Sequence, residues 1–192
     1  MKKVKPLAKI ILLGLLFVSI LKNVIPDIKN NIISKNYSSE NVHEFLMSKK
    51  NRQKTYLAAV DLNGGNSENT CVFFVSEVLR RNNYEVPKYM GNTGDFINFL
   101  NERGWKKQRN YKKLKPGDIC FTTDEKGTTN GIPSHTYIFM GWVEGQKYDY
   151  AYICDNQAKD YDNQVYHIRN IRKVDTIKGL TKDAFSFFMT SQ

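Results

Sequence analysis

The spacing of apolar residues predicts helices in the first half of the folded region. Val42, Phe45 and Leu46 follow Ser39 at intervals that place them on one helical face. We therefore expect Ser39 to cap a helix that extends to about residue 52. Residues 54–60 continue that helix or begin a second one.

Another helical stripe begins directly after a cluster of helix-breaking residues. Residues 63–70 are rich in Asn and Gly, and Cys71 follows them at once. Apolar residues then recur at helical spacing: Cys71, Phe74, Val75, Val78 and Leu79. We expect Cys71 in the first turn of this helix, with its sulfur on the buried side. Thr93 is expected to cap a further helix over residues 94–103, which Gly104 ends.

The second half of the chain changes to short apolar runs separated by turn residues. The turn at residues 114–118 precedes the first run, and a long polar loop precedes the second. The runs predict strands over residues 119–122, 135–142, 148–154, 165–171 and 184–189. Helices followed by an antiparallel meander indicate the α+β class.

The N-terminal residues have the pattern of a secretory signal. Four lysines precede a twelve-residue apolar run at residues 10–21, which Lys22 closes. Because no small-residue cleavage site follows, we favour an uncleaved signal-anchor over residues 1–25, a tether at 26–39 and a folded domain at 40–192. The positive-inside rule then places the domain outside a cell membrane that the chain crosses once. Secretion after cleavage and a peripheral amphipathic helix are the alternatives.

The charge of the chain is concentrated outside the predicted fold. The formal net charge is +10, and residues 1–60 contribute +8 of it. The folded part is thus nearly neutral, and it lacks a nucleic-acid-binding motif, so we expect no nucleic-acid partner. Residues 103–115 carry seven Lys or Arg, which form either a solvated face or a surface that attracts anionic wall polymers. No metal-ligand cluster or phosphate-binding loop is visible, so no metal or cofactor is predicted.

Cysteine and histidine supply the candidate chemistry. An exported domain with three cysteines leaves at least one thiol unpaired. Cys71 is the candidate nucleophile, because a helix N-terminus favours the thiolate. The other two, Cys120 and Cys154, lie within predicted strands and are expected to be buried and reduced.

A thiolate nucleophile also needs a base. The chain has three histidines: His43, His135 and His167. Among them His135 is the candidate, because it heads a strand beside a long loop, from which a side chain can enter a cleft. The stretch Asp155-Asn156-Gln157 ends the next strand and could orient the imidazole.

The chain resembles a known class of enzymes at several of these positions. The matching features are Gly64-Gly65 ahead of the Cys71 helix, the stretch Leu-Lys-Pro-Gly-Asp-Ile-Cys-Phe at residues 114–121, Ser134-His135 at the head of a strand, and a polar side chain that closes the next strand. Over residues 55–160 this is similar to the papain-like cell-wall hydrolases of the NlpC-type and CHAP (cysteine, histidine-dependent amidohydrolase/peptidase) families. Thr70 before Cys71 and the bulky Val72-Phe73 after it are nearer to the CHAP pattern.

The resemblance implies a papain-like α+β fold, with N-terminal helices packed on an antiparallel sheet. It implies Cys71 as nucleophile, His135 as general base and then acid, and Asp155 as the orienting group, with Asn156 or Gln157 as substitutes. The backbone N–H of Cys71 would contribute to an oxyanion hole. The implied substrates are amide bonds in the stem peptides or cross-bridges of peptidoglycan.

Two other functions stay open from the sequence. One is a catalytically silent member of the fold that acts as a scaffold or binding module of the cell envelope. The other is a thiol hydrolase or transferase that acts on a different amide.

Overall fold

Residues 37–191 are described by a computed structural model of the chain, in which four α-helices precede eight β-strands. The helices are α1 (Ser39–Met47), α2 (Lys49–Leu62), α3 (Cys71–Arg81) and α4 (Thr93–Glu102). The strands are β1 (Lys106–Gln108), β2 (Ile119–Thr122), β3 (Thr136–Glu144), β4 (Lys147–Cys154), β5 (Tyr166–Asn170), β6 (Asp175–Ile177), β7 (Leu180–Lys182) and β8 (Phe185–Thr190). Two short 3₁₀ helices lie at Tyr111–Lys113 and Ala158–Tyr161. The predicted α+β class is confirmed.

The first predicted helix is divided in two. Ser38, not Ser39, is the N-cap of α1, because its hydroxyl accepts the Asn41 N–H at 3.2 Å. The helix then ends at Met47, short of the predicted residue 52. Ser48 adopts an extended backbone and caps α2 by accepting the Asn51 N–H at 3.4 Å. A serine hydroxyl can satisfy a free N–H at the start of a new helix, and this favours a break at that position.

The other helices begin near the predicted residues. Cys71 is the first residue of α3, as predicted. In α4 the cap is Asn92 instead of Thr93, because the Asn92 carboxamide oxygen accepts the Asp95 N–H at 3.0 Å. Asparagine is among the best N-cap residues, so the cap lies one residue earlier than expected.

Six strands form one antiparallel sheet in the order β1-β8-β2-β3-β4-β5. Only β2 to β5 form a meander, since β8 returns to pair with β2 and carries β1 on its outer side. The prediction of a meander through the last strand was therefore wrong. The sequence pattern also missed β1 and the β6–β7 hairpin, because these three-residue strands are mostly polar or exposed.

Both faces of the sheet are covered. One face packs against the helices, and the core between them contains Phe74 of α3, Phe96 of α4 and Phe121 of β2. The other face has a second buried cluster that includes Tyr137 and Phe139. The central strand β3 begins directly after His135, so this residue is fixed at the end of a strand that is supported on both sides.

Cys120 and Cys154 are fully buried and free, as predicted. They lie in β2 and β4, with β3 between them.

The predicted anchor at residues 1–25 lies outside the described residues, as does most of the tether at 26–39. Within residues 37–191, no helix is both long and apolar enough to cross a membrane.

Candidate active site

The packing of α3 fixes Cys71. The helix buries an apolar face against the core, and Cys71 at its first position is 8% exposed. The side chain of the preceding residue, Thr70, makes no capping hydrogen bond to the first N–H groups of α3. These groups and the helix dipole favour negative charge at the start of α3, where the thiol lies.

Short backbone contacts hold His135 in place. Its N–H donates to the Thr122 hydroxyl at 3.0 Å, and its carbonyl accepts the Thr122 N–H at 3.1 Å. His135 is 7% exposed, and its Nε2 lies 2.9 Å from Asp155 Oδ2. Since Nε2 bonds to Asp155, Nδ1 is the ring nitrogen left free to face the Cys71 thiol.

The carboxylate of Asp155 is completely buried just after β4. Its Oδ1 accepts the Gln157 N–H at 2.8 Å and lies 3.8 Å from His167 Nε2. Although burial opposes ionisation, the charge of His167, the contact with His135 and the Gln157 N–H hold the pKa of Asp155 well below its usual range. The carboxylate is therefore ionised beside the imidazole at neutral pH.

The thiol and the imidazole shift each other's pKa toward an ion pair. Burial alone would raise the pKa of Cys71, but the hydrogen bond and charge of His135, with the N–H groups of Thr136 and Val72, lower it. Burial likewise opposes the charged form of His135, yet the bonds to Asp155 and Cys71 raise its pKa to about 9. Both shifts favour the ion pair, in which the thiol is deprotonated and the imidazole is protonated.

Asp155 is thus the member of the Asp155-Asn156-Gln157 stretch that contacts the imidazole. Asn156, named as a substitute, instead donates to the Ser67 carbonyl at 3.2 Å and to the Thr70 hydroxyl at 3.0 Å. It holds the segment that precedes Cys71. Gln157 reaches the site through its backbone N–H on Asp155.

Sequence reasoning missed the role of His167 as a neighbour of the site. Its ring stacks on Tyr161 with centroids 3.5 Å apart, and its Nδ1 lies 3.0 Å from the Gln164 carbonyl. Burial lowers the pKa of His167, although the negative charge of Asp155 acts to raise it. The alternation of side chains along β5 could have indicated this, since His167 and Arg169 lie on the same face of the sheet as Asp155. His43, on α1, lines a separate cavity of about 810 Å³.

Cys71 lies between two cavities, and Asn69 and Ser134 line both of them. The larger, called here the Asp124 groove, has a volume of about 540 Å³ and lies between the start of α4 and the loop that contains Asp124 and Ile132. The smaller, called the Arg169 cavity, has a volume of about 190 Å³. Its lining includes Cys71, His135, Asn156, Gln157, Arg169 and Lys182. An extended ligand that binds across Cys71 would therefore occupy both cavities.

The basic run at residues 103–115 does not line either of these cavities. Lys113 and Lys115 line the separate cavity near His43. Lys107 and Lys112 lie over the rings of Phe187 and Tyr148, at 4.3 and 5.5 Å from their centroids. The run is thus not part of the cleft at Cys71.

Among residues 37–191, no group of three or more His, Cys, Asp or Glu side chains is arranged to hold a metal ion. Scans of this chain against family models, curated proteins and solved structures returned no match.

Proposed function

We propose that the domain is a papain-like cysteine amidase or endopeptidase that hydrolyses amide bonds of peptidoglycan. One observation carries the proposal: a helix N-terminus, an imidazole and a buried carboxylate meet at Cys71 in the order that nucleophilic thiol catalysis requires. The resemblance of residues 55–160 to cell-wall hydrolases supports the choice of substrate. A signal-anchor at residues 1–25 would hold the enzyme at the outer face of the membrane, within reach of the wall.

The first half of the reaction forms an acyl-enzyme. The Cys71 thiolate attacks the carbonyl carbon of the amide, and the electron pair of the C=O bond moves onto oxygen. The Cys71 N–H would stabilise that oxyanion. When the tetrahedral intermediate collapses, the C–N bond breaks, and the His135 imidazolium gives its proton to the departing amine. The products are a free amine and a thioester at Cys71.

The second half consumes water. Neutral His135 takes a proton from a water molecule as that water attacks the thioester carbonyl. The C–S bond then breaks, which releases a carboxylic acid and restores the thiolate–imidazolium pair. Asp155 stays ionised throughout and holds the imidazole in orientation, since its pKa lies far below that of His135.

The proposal is tested by incubation of the full-length protein with purified peptidoglycan fragments. We expect mass spectrometry to detect a new amine and a new carboxyl end for each bond cut. If fragments bind but no ends appear, while the Cys71→Ala variant binds equally well, the envelope scaffold is the correct function. If the protein cleaves only amides from outside the cell wall, this would instead favour a thiol hydrolase that acts on a different substrate.

Loss of the Asp155 charge should impair turnover less than loss of the nucleophile. We expect Asp155→Asn to reduce kcat/KM by roughly 10²- to 10⁴-fold, because the base remains but loses the carboxylate that orients it. It should also shift the alkaline limb of the pH–rate profile below about pH 9, because Asp155 helps to raise the pKa of His135 to about 9. The pH dependence of turnover measures both effects.

The matched control is Asn156→Ala, which removes the side chain next along the chain. It should leave the alkaline limb unchanged, since Asn156 contacts Ser67 and Thr70 and not the imidazole. A shift of the limb in Asn156→Ala, with none in Asp155→Asn, would make Asn156 the orienting residue.

A further inference from the structure

Arg169 is a buried cation without a full set of partners. It lies in β5, is 2% exposed and lines the Arg169 cavity together with Cys71. Its Nη2 donates to the Asp183 carbonyl, whereas Nε and Nη1 have no hydrogen-bond partner. Three of the five guanidinium N–H groups are therefore unsatisfied. An arginine does not lose its charge on burial, so this arrangement costs free energy unless an anion is supplied.

The other charged side chains that line the cavity already have polar partners. Lys182 bonds to Asp160 at 2.6 Å, and the Asp183 carboxylate accepts the Ser134 hydroxyl at 2.5 Å. No carboxylate of residues 37–191 forms an ion pair with Arg169 within 4 Å. The ring of Tyr137, 5.8 Å away, is at the outer limit of a cation–π contact. The cavity beside the thiol thus contains one arginine that has no ion-pair partner within 4 Å.

Two of the residues that line the same cavity carry an unsatisfied acceptor. The carboxamide oxygens of Asn156 and Gln157 are buried and have no hydrogen-bond partner. The wall of the cavity therefore contains unsatisfied N–H donors on a cation and unsatisfied C=O acceptors on two amides. Together these groups match a ligand that carries a carboxylate and an N–H, such as one residue of a peptide.

We propose that Arg169 binds a free carboxylate on the substrate residue next to the scissile amide, and that Asn156 and Gln157 accept N–H groups of the same residue. The inference rests on the proposed function, since it assigns the Arg169 cavity to one side of the bond that Cys71 attacks. It makes the enzyme selective for peptide amides flanked by a carboxylate over those in which that group is a carboxamide.

The test compares two reagents that differ only in this group. Iodoacetate and iodoacetamide both alkylate a thiolate, but only iodoacetate has a carboxylate. Their relative rates at Cys71 are measured by peptide mapping in the full-length protein. The iodoacetate-to-iodoacetamide ratio should fall about tenfold in Arg169→Gln, the effect of one unit charge a few ångströms away. It should stay within about threefold of wild type in Arg169→Lys.

The matched control is Arg172→Gln, in which the iodoacetate-to-iodoacetamide ratio should stay at the wild-type value. Arg172 lies over the Tyr111 ring and lines neither cavity at Cys71. An equal ratio in wild type and Arg169→Gln would overturn the carboxylate site while leaving the nucleophile intact. If wild-type Cys71 reacts with both reagents like an ordinary thiol, the proposed function fails instead.

A second measurement uses only the wild-type protein, so it tests the carboxylate site even if Arg169→Gln does not fold. N-acetylglycine and N-acetylglycinamide are added in turn to wild-type protein at constant ionic strength. N-acetylglycine should slow the alkylation of Cys71 by iodoacetamide at concentrations at which N-acetylglycinamide has no effect. Equal protection by the two compounds, or protection by neither, would contradict the assignment.

Discussion

Cys71→Ser is expected to lower the turnover of peptidoglycan fragments by at least about 10⁴-fold, with no change in fold. Loss of a nucleophile in comparable triads costs about 10⁶-fold, and the residual rate comes from binding and the oxyanion hole. The serine hydroxyl has nearly the same volume but is not ionised beside His135. The His135→Gln variant should lose a similar factor, because Cys71 then has neither a base nor a counterion. Release of new amine ends measures both effects.

His43→Gln is the control for this pair of variants. His43 lies on α1 and lines a different cavity, so its loss should leave turnover within about twofold of wild type. Turnover that survives in Cys71→Ser, or that disappears equally in His43→Gln, would contradict the assignment of nucleophile and base.

Gly117→Ala is expected to destabilise the domain by roughly 2–5 kcal/mol. Gly117 has φ +96°, and an added Cβ would lie 1.8 Å from the Ser39 carbonyl oxygen at the start of α1. The backbone strain contributes about 1–2 kcal/mol, and the steric clash contributes about 1–3 kcal/mol. The Gly117 carbonyl also accepts the Tyr37 hydroxyl at 2.8 Å, so the turn and the start of the domain are directly joined. The midpoint of urea unfolding, at unchanged slope, measures the loss.

Two other glycines separate the causes. Gly127 has φ +74° but open space around its Cβ position, so Gly127→Ala should cost only the strain of about 1–2 kcal/mol. Gly145 has neither a positive φ nor a close neighbour, and Gly145→Ala should change stability by less than about 0.5 kcal/mol. Equal stabilities for the three variants would mean that α1 does not pack on the Gly117 turn.

The sequence predicted the elements whose periodicity is strong. The stripe of α3 gave its first residue, and the alternating apolar runs gave β2 to β5 and β8 within two or three residues. It did not show how the strands pair, because local patterning carries no information on long-range contacts. The pairing of β8 with β2 joins residues more than sixty positions apart. Short polar strands such as β1 gave no apolar pattern in the sequence, because they bury almost nothing.

The candidate site was predictable in part. Cys71 and His135 follow from the chemistry of a thiol at a helix start and an imidazole at a strand end. Asp155 could not be separated from Asn156 by sequence, because adjacent residues after a strand point in different directions and only the fold decides which one reaches His135. Arg169 was overlooked because an arginine in a strand normally reaches solvent. Its guanidinium bonds to the Asp183 carbonyl directly after the β6–β7 hairpin, which the pattern did not show.

The most direct test of the account is the pH dependence of Cys71 alkylation by iodoacetamide in wild type and in His135→Gln. A thiolate paired with an imidazolium should react at mildly acidic pH, well below the pKa of about 8.5 for a free thiol. In His135→Gln the midpoint should rise above that value, because burial then acts without the stabilising charge. Cys120 should stay unreactive, because burial raises its pKa well above the usual range, and burial raises the pKa of Cys154 likewise. The same midpoint near pH 8.5 in both proteins would show that Cys71 and His135 do not form the ion pair.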